Sequence, residues 1–281
     1  MERLTAKQFL ANAPAAVMVS VETANGSTPR EAGALMLVSQ TAIHDSIGGG
    51  QLEYMAIDRA RQMLRGGEDE SAMDVGLGPE IGQCCGGRVT LALRRVDAAM
   101  AAEIIAADAR ESMLMPHVYV FGAGHVGNAL CRALALLPVR TILVDTRQRE
   151  IDAAPEGVEK RLAAMPESLV GDAPAGSAFL ALTHDHALDF LIVKEALMQP
   201  DAAYVGMIGS KSKRGAFANW FRGEGGNEDA LVRLVCPLGG SDIKDKRPGV
   251  IAALTAAEVM AALARHAIPV AAENCQRASH A

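Results

Sequence analysis

Two adjacent cysteines, Cys84 and Cys85, stand in a run with few other side chains, Gly78-Pro79-Glu80-Ile81-Gly82-Gln83-Cys84-Cys85-Gly86-Gly87. Glycine tolerates positive φ and lets a backbone approach a ligand closely. Such a loop can present bare amides and one or two thiols to a docked group. A thiolate there would contact a soft metal or carry sulfur, and Arg88 is close enough in sequence to lower a thiol pKa. The competing reading is that cysteine is a small hydrophobe that packs inertly. A turn crowded with glycine and proline is a poor place for packing alone.

Upstream, Gly48-Gly49-Gly50 opens a helix, so its amides and the positive end of the helix dipole can hold an oxyanion. Glu53 falls in the first turn, where it would help cap that helix. Three glycines also serve simply to bend a chain. The turn Asn25-Gly-Ser-Thr-Pro-Arg30 adds Arg30, a planar donor fork.

Downstream, Gly122-x-Gly124-x-x-Gly127 follows an apolar run and opens an Ala/Leu helix. Asp145 ends the next strand, 18 residues beyond Gly127. That is the arrangement of a first Rossmann βαβ unit. Its glycines would make the turn and admit a pyrophosphate, and Asp145 would accept from a ribose 2′-hydroxyl. The alternative is a turn that needs small residues and binds nothing. Thr183-His184-Asp185-His186 also follows a strand end. Neighbouring positions in an extended segment face opposite ways, so a helix N-cap at this point is favoured over a metal pair. Gly209-Ser210-Lys211-Ser212-Lys213-Arg214 opens another helix, and its amides and cations suit a phosphate or merely a solvated basic helix start. Cys131, Cys236 and Cys275 carry no assigned role.

Hydrophobic periodicity supplies the elements that position these residues. In the first half it predicts strands over 15–22, 33–38, 42–47 and 88–95, a helix over 51–64, and an Ala-rich connecting helix over 97–111. In the second half strands and helices alternate. The strands fall at 117–121, 141–144, 178–182 and 203–208, and the helices at 125–136, 187–198, 211–221 and 250–265. Alternation of this kind argues for a parallel sheet. The expected fold is α/β: a Rossmann-like parallel-sheet domain over 113–266, preceded by a smaller α+β domain with glycine-rich loops over 1–112. A flexible tail is expected over 267–281.

Half of the 281 residues are hydrophobic and 21% are charged, the profile of a globular protein, while aromatics at 4% leave a core of Ala, Leu, Val, Ile and Met. A formal charge of −6 gives no general attraction to nucleic acid or an anionic membrane, so an anionic ligand must be held by local devices. The apolar stretches are strand-sized and the start, Met1-Glu-Arg-Leu-Thr, lacks an apolar signal core. Five cysteines without framework spacing point to reduced thiols and a cytoplasmic protein.

Together these motifs carry a resemblance. Gly26-Ser-Thr-Pro-Arg30 with Gly33-Ala-Leu-Met36, Ile47-Gly-Gly-Gly50-x-Leu52-Glu53 and the Cys84-Cys85 loop resemble the N-terminal domain of the xanthine dehydrogenase accessory factor (XdhC) family. Val120-Phe-Gly-Ala-Gly-His-Val-Gly127, Asp145-Thr-Arg147, Thr183-His-Asp-His-Ala-Leu-Asp189, Gly206-Met-Ile-Gly-Ser-Lys-Ser-Lys213 and Cys236-Pro-Leu-Gly239 resemble its Rossmann domain. The likeness runs from about Val17 to Leu263; Gly240-Ser-Asp242 and Asp245-Lys-Arg247 depart from the pattern.

The resemblance implies a chaperone, not an enzyme. It would bind the molybdenum cofactor (Mo-molybdopterin), protect it while a cysteine desulfurase sulfurates it, and insert it into the molybdenum-binding subunit of xanthine dehydrogenase in purine catabolism. Cofactor-synthesis proteins and a second copy of the chain, as a homodimer, are the other implied partners, with no nucleic acid and no membrane. Cys84 or Cys85 would contact the molybdenum or relay sulfur, with Gln83 beside them. Arg30 with Gly48, Gly49 and Gly50, or Gly122, Gly124 and Gly127, would hold the cofactor phosphate. His125, Asp145, Arg147, His184, Ser210 and Lys211 complete the implied binding set, and a nucleotide at the Rossmann loop is the other occupant. The alternative function is an NAD(P)-dependent oxidoreductase with His184 or His186 as acid–base, which leaves the cysteine loop idle.

Overall fold

The computed structural model describes residues 5–79, 82, 86–240 and 244–278, from 267 onward as backbone path only. The chain divides into two compact units, 1–113 and 114–281.

In the first unit the elements are α1 (Ala6–Asn12), β1 (Val17–Asn25), β2 (Leu35–Val38), β3 (Ile43–Asp45), α2 (Gly50–Gly66), β4 (Glu70–Gly76), β5 (Arg88–Arg95) and α3 (Ala98–Leu114). The strands form one antiparallel sheet in the order β3-β2-β1-β5-β4. Alternation puts Val17, Val19 and Val21 of β1 on one face with Val89, Leu91 and Leu93 of β5. On that face lies α2, which buries Leu52, Ala56, Ala60 and Met63. Alanines four apart let the helix sit close to the sheet, and burying a side chain such as Leu52 or Met63 contributes about 1.5–3 kcal/mol. Gly67, left-handed at φ 72, ends the helix. The opposite face is covered more thinly, by Ala6 and Phe9 of α1 against Leu37, with Ile104 of α3 at the margin. α3 itself has no buried residue.

The second unit follows β6 (His117–Phe121), α4 (His125–Leu134), β7 (Arg140–Asp145), α5 (Gln148–Asp152), β8 (Glu159–Leu162), a 3-10 turn (Pro166–Val170), β9 (Ala178–Ala181) and α6 (His186–Met198). Then come β10 (Tyr204–Met207), α7 (Lys211–Gly223), α8 (Glu228–Val232), β11 (Leu234–Val235) and α9 (Pro248–Ala278). Its parallel sheet has the order β11-β10-β9-β6-β7-β8, with the strand order reversing at the β6/β9 pair. This is the Rossmann arrangement, and ligands in such sheets sit beyond the carboxyl ends of the strands at that reversal. Helices cover both faces: α4 and α9 pack against Val118, Val120 and Leu143, while α6, α7 and α8 pack against Tyr119, Phe121 and Phe179.

Two expectations change here. The last helix does not stop near Arg265; it continues past Pro269 to Ala278, in a stretch with four helix-forming alanines. Apolar stretches are also not all strand-sized, since Pro248–His266 is long and apolar enough to cross a membrane. Its Ala252, Ala256, Val259 and Leu263 are buried in the Rossmann core.

Candidate functional site

The pairings Asn25↔Arg88, Gly76↔Arg88 and Met36↔Asp45 place the β1–β2 turn, the β3–α2 turn and the β4–β5 loop at one end of the first sheet. The glycines there allow close contact between the three. A Cβ at Gly48 (φ +124) would fall 2.5 Å from Pro29 Cβ, and one at Gly87 would fall 2.7 Å from the Asn25 carbonyl oxygen. Neither distance is tolerable, so these positions require glycine. Leu77 N–H donates to the Gly87 carbonyl (2.8 Å) and Gly86 N–H to the Leu77 carbonyl (2.9 Å), closing the root of the cysteine loop. A shallow groove of about 470 Å³ lies at that root, lined by Asn25, Gly26, Gly76, Leu77, Gly78, Gly86, Gly87 and Arg88. Gln83, Cys84 and Cys85 lie outside the described residues.

The glycine run at 48–50 is not the open nest expected from sequence. Glu53 Oε2 accepts from the Ile47 and Gly49 amides, each at 3.1 Å, and from the Ser46 hydroxyl at 2.6 Å. Gly48 N–H donates to Ser46 Oγ. A carboxylate in the first turn of α2 has reached back and taken the amides for itself. Arg30 stands beside Asp45 at 3.9 Å, half exposed. Arg88 is committed to Asp74 through bonds of 2.8 and 2.6 Å, which hold the Asp74 carboxyl below its usual range. The expected influence of Arg88 on a thiol is therefore offset by its own counter-ion.

A larger groove of about 830 Å³ lies between α3 and the second face of this sheet, lined by residues such as Met18, Leu35, Leu37, Arg94 and Ile104. Its lining holds no thiol.

In the second unit, Gly122 (φ +118) and Gly127 are both demanded by backbone packing. A Cβ at Gly122 would overlap the Leu182 carbonyl, and one at Gly127 would overlap the Gly122 carbonyl. Gly124 caps α4 and has open space where a Cβ would be. His125, the first residue of α4, is exposed.

Asp145, 4% exposed, does not keep its oxygens for a ribose. Oδ2 accepts from Ala123 N–H (2.7 Å) and Arg147 Nη2 (2.9 Å). Oδ1 accepts from Arg147 N–H and Nε, both at 2.9 Å. Burial opposes its ionisation, yet the bonds from Arg147 and Ala123 prevail and keep its carboxyl below the usual range.

Asp185 is the N-cap of α6, accepting from Ala187 N–H at 2.8 Å, as the sequence favoured. His184 lines a crevice with Asp145, and His186 is exposed. Ser210 caps α7, while Lys211 remains exposed. Lys213 does not join it in facing an anion: its Nζ lies 2.5 Å from Oδ2 of the fully buried Asp189. The other Asp189 oxygen accepts from Thr183 N–H and Oγ1, each at 2.8 Å. The pairing of Lys213 with Asp189 crosses 24 residues and has no local sequence signature, so Lys213 reads from sequence as a cation of the helix start instead.

Cys131 is buried and its thiol is pushed up to about 12 by desolvation. Cys236 is half-buried; desolvation raises it as well, against the nearby positive charges of Lys213 and Arg214. Glu258 of α9 accepts from Tyr204 Oη (2.8 Å) and Gly239 N–H (3.1 Å), tying the loop after β11 to the core. Among the described residues, no group of three or more His, Cys, Asp or Glu is placed to hold a metal ion.

Residues 118–259 match the family model for the XdhC Rossmann domain, and residues 10–76 match that for the XdhC and CoxI family. The chain belongs to the XdhC family. The XdhC-type Rossmann match spans every strand of the second sheet from Val118 on, and the N-terminal match ends at Gly76, where the cysteine loop begins. The uncharacterised Escherichia coli K12 protein YqeB is 25% identical over 252 residues, 86% of this chain and 42% of its own length. This XdhC-family chain thus spans less than half of that curated relative. A crystal structure described as a xanthine dehydrogenase from Bacillus halodurans superimposes with a TM-score of 0.76 over 92% of this chain and 95% of that one. At 16% identity it shows a shared fold.

Proposed function

We propose that this XdhC-family chain is an accessory protein that carries the molybdenum cofactor to a xanthine dehydrogenase-type enzyme. In this reading a cysteine desulfurase sulfurates the cofactor while it is bound, and the carrier works in the cytoplasm as a homodimer. The observation that carries the reading is the convergence of three glycine-dependent loops at one sheet end, with a groove at the root of the loop that holds Cys84 and Cys85.

The cofactor's chemistry suits that end. Its metal–dithiolene portion is soft and matches thiols, its pterin is flat and matches a shallow glycine-walled groove, and its phosphate needs local donors. With Glu53 holding the Ile47 and Gly49 amides, the cations at this end are Arg30 and Arg88, each at least half exposed and already paired, so a phosphate would exchange with Asp45 or Asp74 in a surface ion pair. The oxidoreductase alternative needs a free ribose acceptor, and the bonds made by Asp145 tell against it.

Native mass spectrometry of the full chain, co-expressed with cofactor synthesis, tests the reading. Retained molybdopterin and activation of an apo-xanthine dehydrogenase are expected, with both reduced in a Cys84→Ala/Cys85→Ala variant. Full retention and activation by that variant would remove the thiol role. Retained NAD(H) with turnover of a hydroxy substrate would transfer the function to the oxidoreductase class.

A further inference from the structure

A carboxylate has about four lone-pair sites for hydrogen bonds. At Asp145 all are taken, by Ala123 N–H and Arg147 Nη2 on one oxygen and by Arg147 N–H and Nε on the other. The acid that a Rossmann unit offers to the ribose of a dinucleotide therefore has no acceptor left. Arg147 in turn spends its backbone N–H, Nε and one Nη2 N–H on Asp145, and its Nη1 faces the Glu150 carboxylate at 3.8 Å.

The space agrees with the bonding. The crevice between Asp145, Thr146, Pro166, Thr183, His184 and Leu188 measures about 10 Å³, which is at the lower limit for a single water. The loop that would have to yield is held on both sides: Ala123 N–H by Asp145, and its carbonyl by Asn128 Nδ2 at 2.8 Å. Gly122 and Gly127 are accounted for by backbone packing without any ligand.

We infer that Arg147 is the specificity-determining residue of the Rossmann unit: it plugs the ribose subsite by saturating Asp145 and so excludes NAD(H). The glycine motif then serves packing, and the dinucleotide pattern survives without dinucleotide binding. The inference stands apart from the carrier reading, which rests on the loops of the first unit.

NADH titrations of the full-length chain, followed by fluorescence and calorimetry, test it on wild type, Arg147→Ala and Arg147→Ala/Asp145→Asn. Thermal melts confirm that each variant is folded, and Arg147→Gln replaces Arg147→Ala if the latter is not. Wild type is expected to show no saturable binding up to about 1 mM NADH. The variant that frees Asp145 is expected to bind at least about tenfold more tightly, and the double variant to lose that gain. Saturable NADH binding by wild type would overturn the inference, as would folded single variants that stay silent. Molybdopterin retention is read on the wild-type chain alone, so failure of this inference and failure of the carrier reading are distinguishable.

Discussion

Lys213 Nζ lies 2.5 Å from Asp189 Oδ2, joining the first turns of α6 and α7 through a carboxylate with no exposed surface. The same carboxylate holds Thr183 at the end of β9. One buried group thus ties a strand end to the two helices that follow it. Removing one partner of a buried pair leaves the other charge without compensation, at a cost of about 3–5 kcal/mol. Asp189→Ala is expected to lose stability of that order in urea denaturation. A loss below about 1 kcal/mol would mean that the pair behaves like a surface contact.

The Rossmann glycines should separate by position. Gly127→Ala drives a methyl into the Gly122 carbonyl, whereas Gly124→Ala enters open space. Overpacking of this kind costs about 1–3 kcal/mol or more. Melting curves should therefore show Gly127→Ala clearly destabilised and Gly124→Ala close to wild type; equal effects would contradict the packing described.

Asp145 makes stability depend on pH with a definite sign. Its folded-state pKa is lowered, so its contribution is complete above the ordinary carboxylate range of about 3.9 and disappears as pH falls through the folded value. Asp145→Asn should be less stable than wild type at pH 7, with the gap closing on acidification below about pH 4. A gap that stays constant from neutral to acid pH would show that ionisation of Asp145 is not the source.

Glu53 accepts from two amides and a hydroxyl at the start of α2. Glu53→Ala strands those donors, and an unsatisfied group costs about 1–3 kcal/mol. The expected result is a loss in that range together with faster hydrogen exchange at Ile47 and Gly49. Unchanged exchange at both amides would refute the assigned capping role.

Thiol labelling should rank the cysteines. Cys131, with its thiol pushed up to about 12 and no exposed surface, should not react with iodoacetamide at pH 8 in the native state. On the proposed carrier reading, molybdopterin protects Cys84 and Cys85 from the same reagent, and equal labelling with and without it would count against that reading. Native-state alkylation of Cys131, located by peptide mapping, would mean that α4 opens.

Much of the scaffold was legible locally. β5 and β6 appear where alternation and apolar runs put them, because Val89, Leu91 and Leu93 face one core and His117–Phe121 is buried along most of its length. Two edge strands were not legible: β4 buries only Val75 and β8 reads Glu-Lys-Arg-Leu, so neither carries a hydrophobic period, whereas the edge strand β3 falls within the expected 42–47. α1 was missed although Thr5 and Gln8 form a capping box, a pattern visible in sequence.

The linear sequence determined the two-part organisation, the strand–helix rhythm and the positions where only glycine fits, since periodicity and backbone sterics act over a few residues. Folding alone decided what the polar groups at those positions still have to offer. Glu53 filled its own nest, Arg147 saturated Asp145, and Lys213 turned inward to Asp189. A hydrogen-bonding site is available only if no nearer partner claims it. Asp145 takes three bonds from Arg147, two residues on, but its fourth comes from Ala123, 22 residues away, and the Lys213 partner of Asp189 lies 24 residues away, both brought there by the sheet.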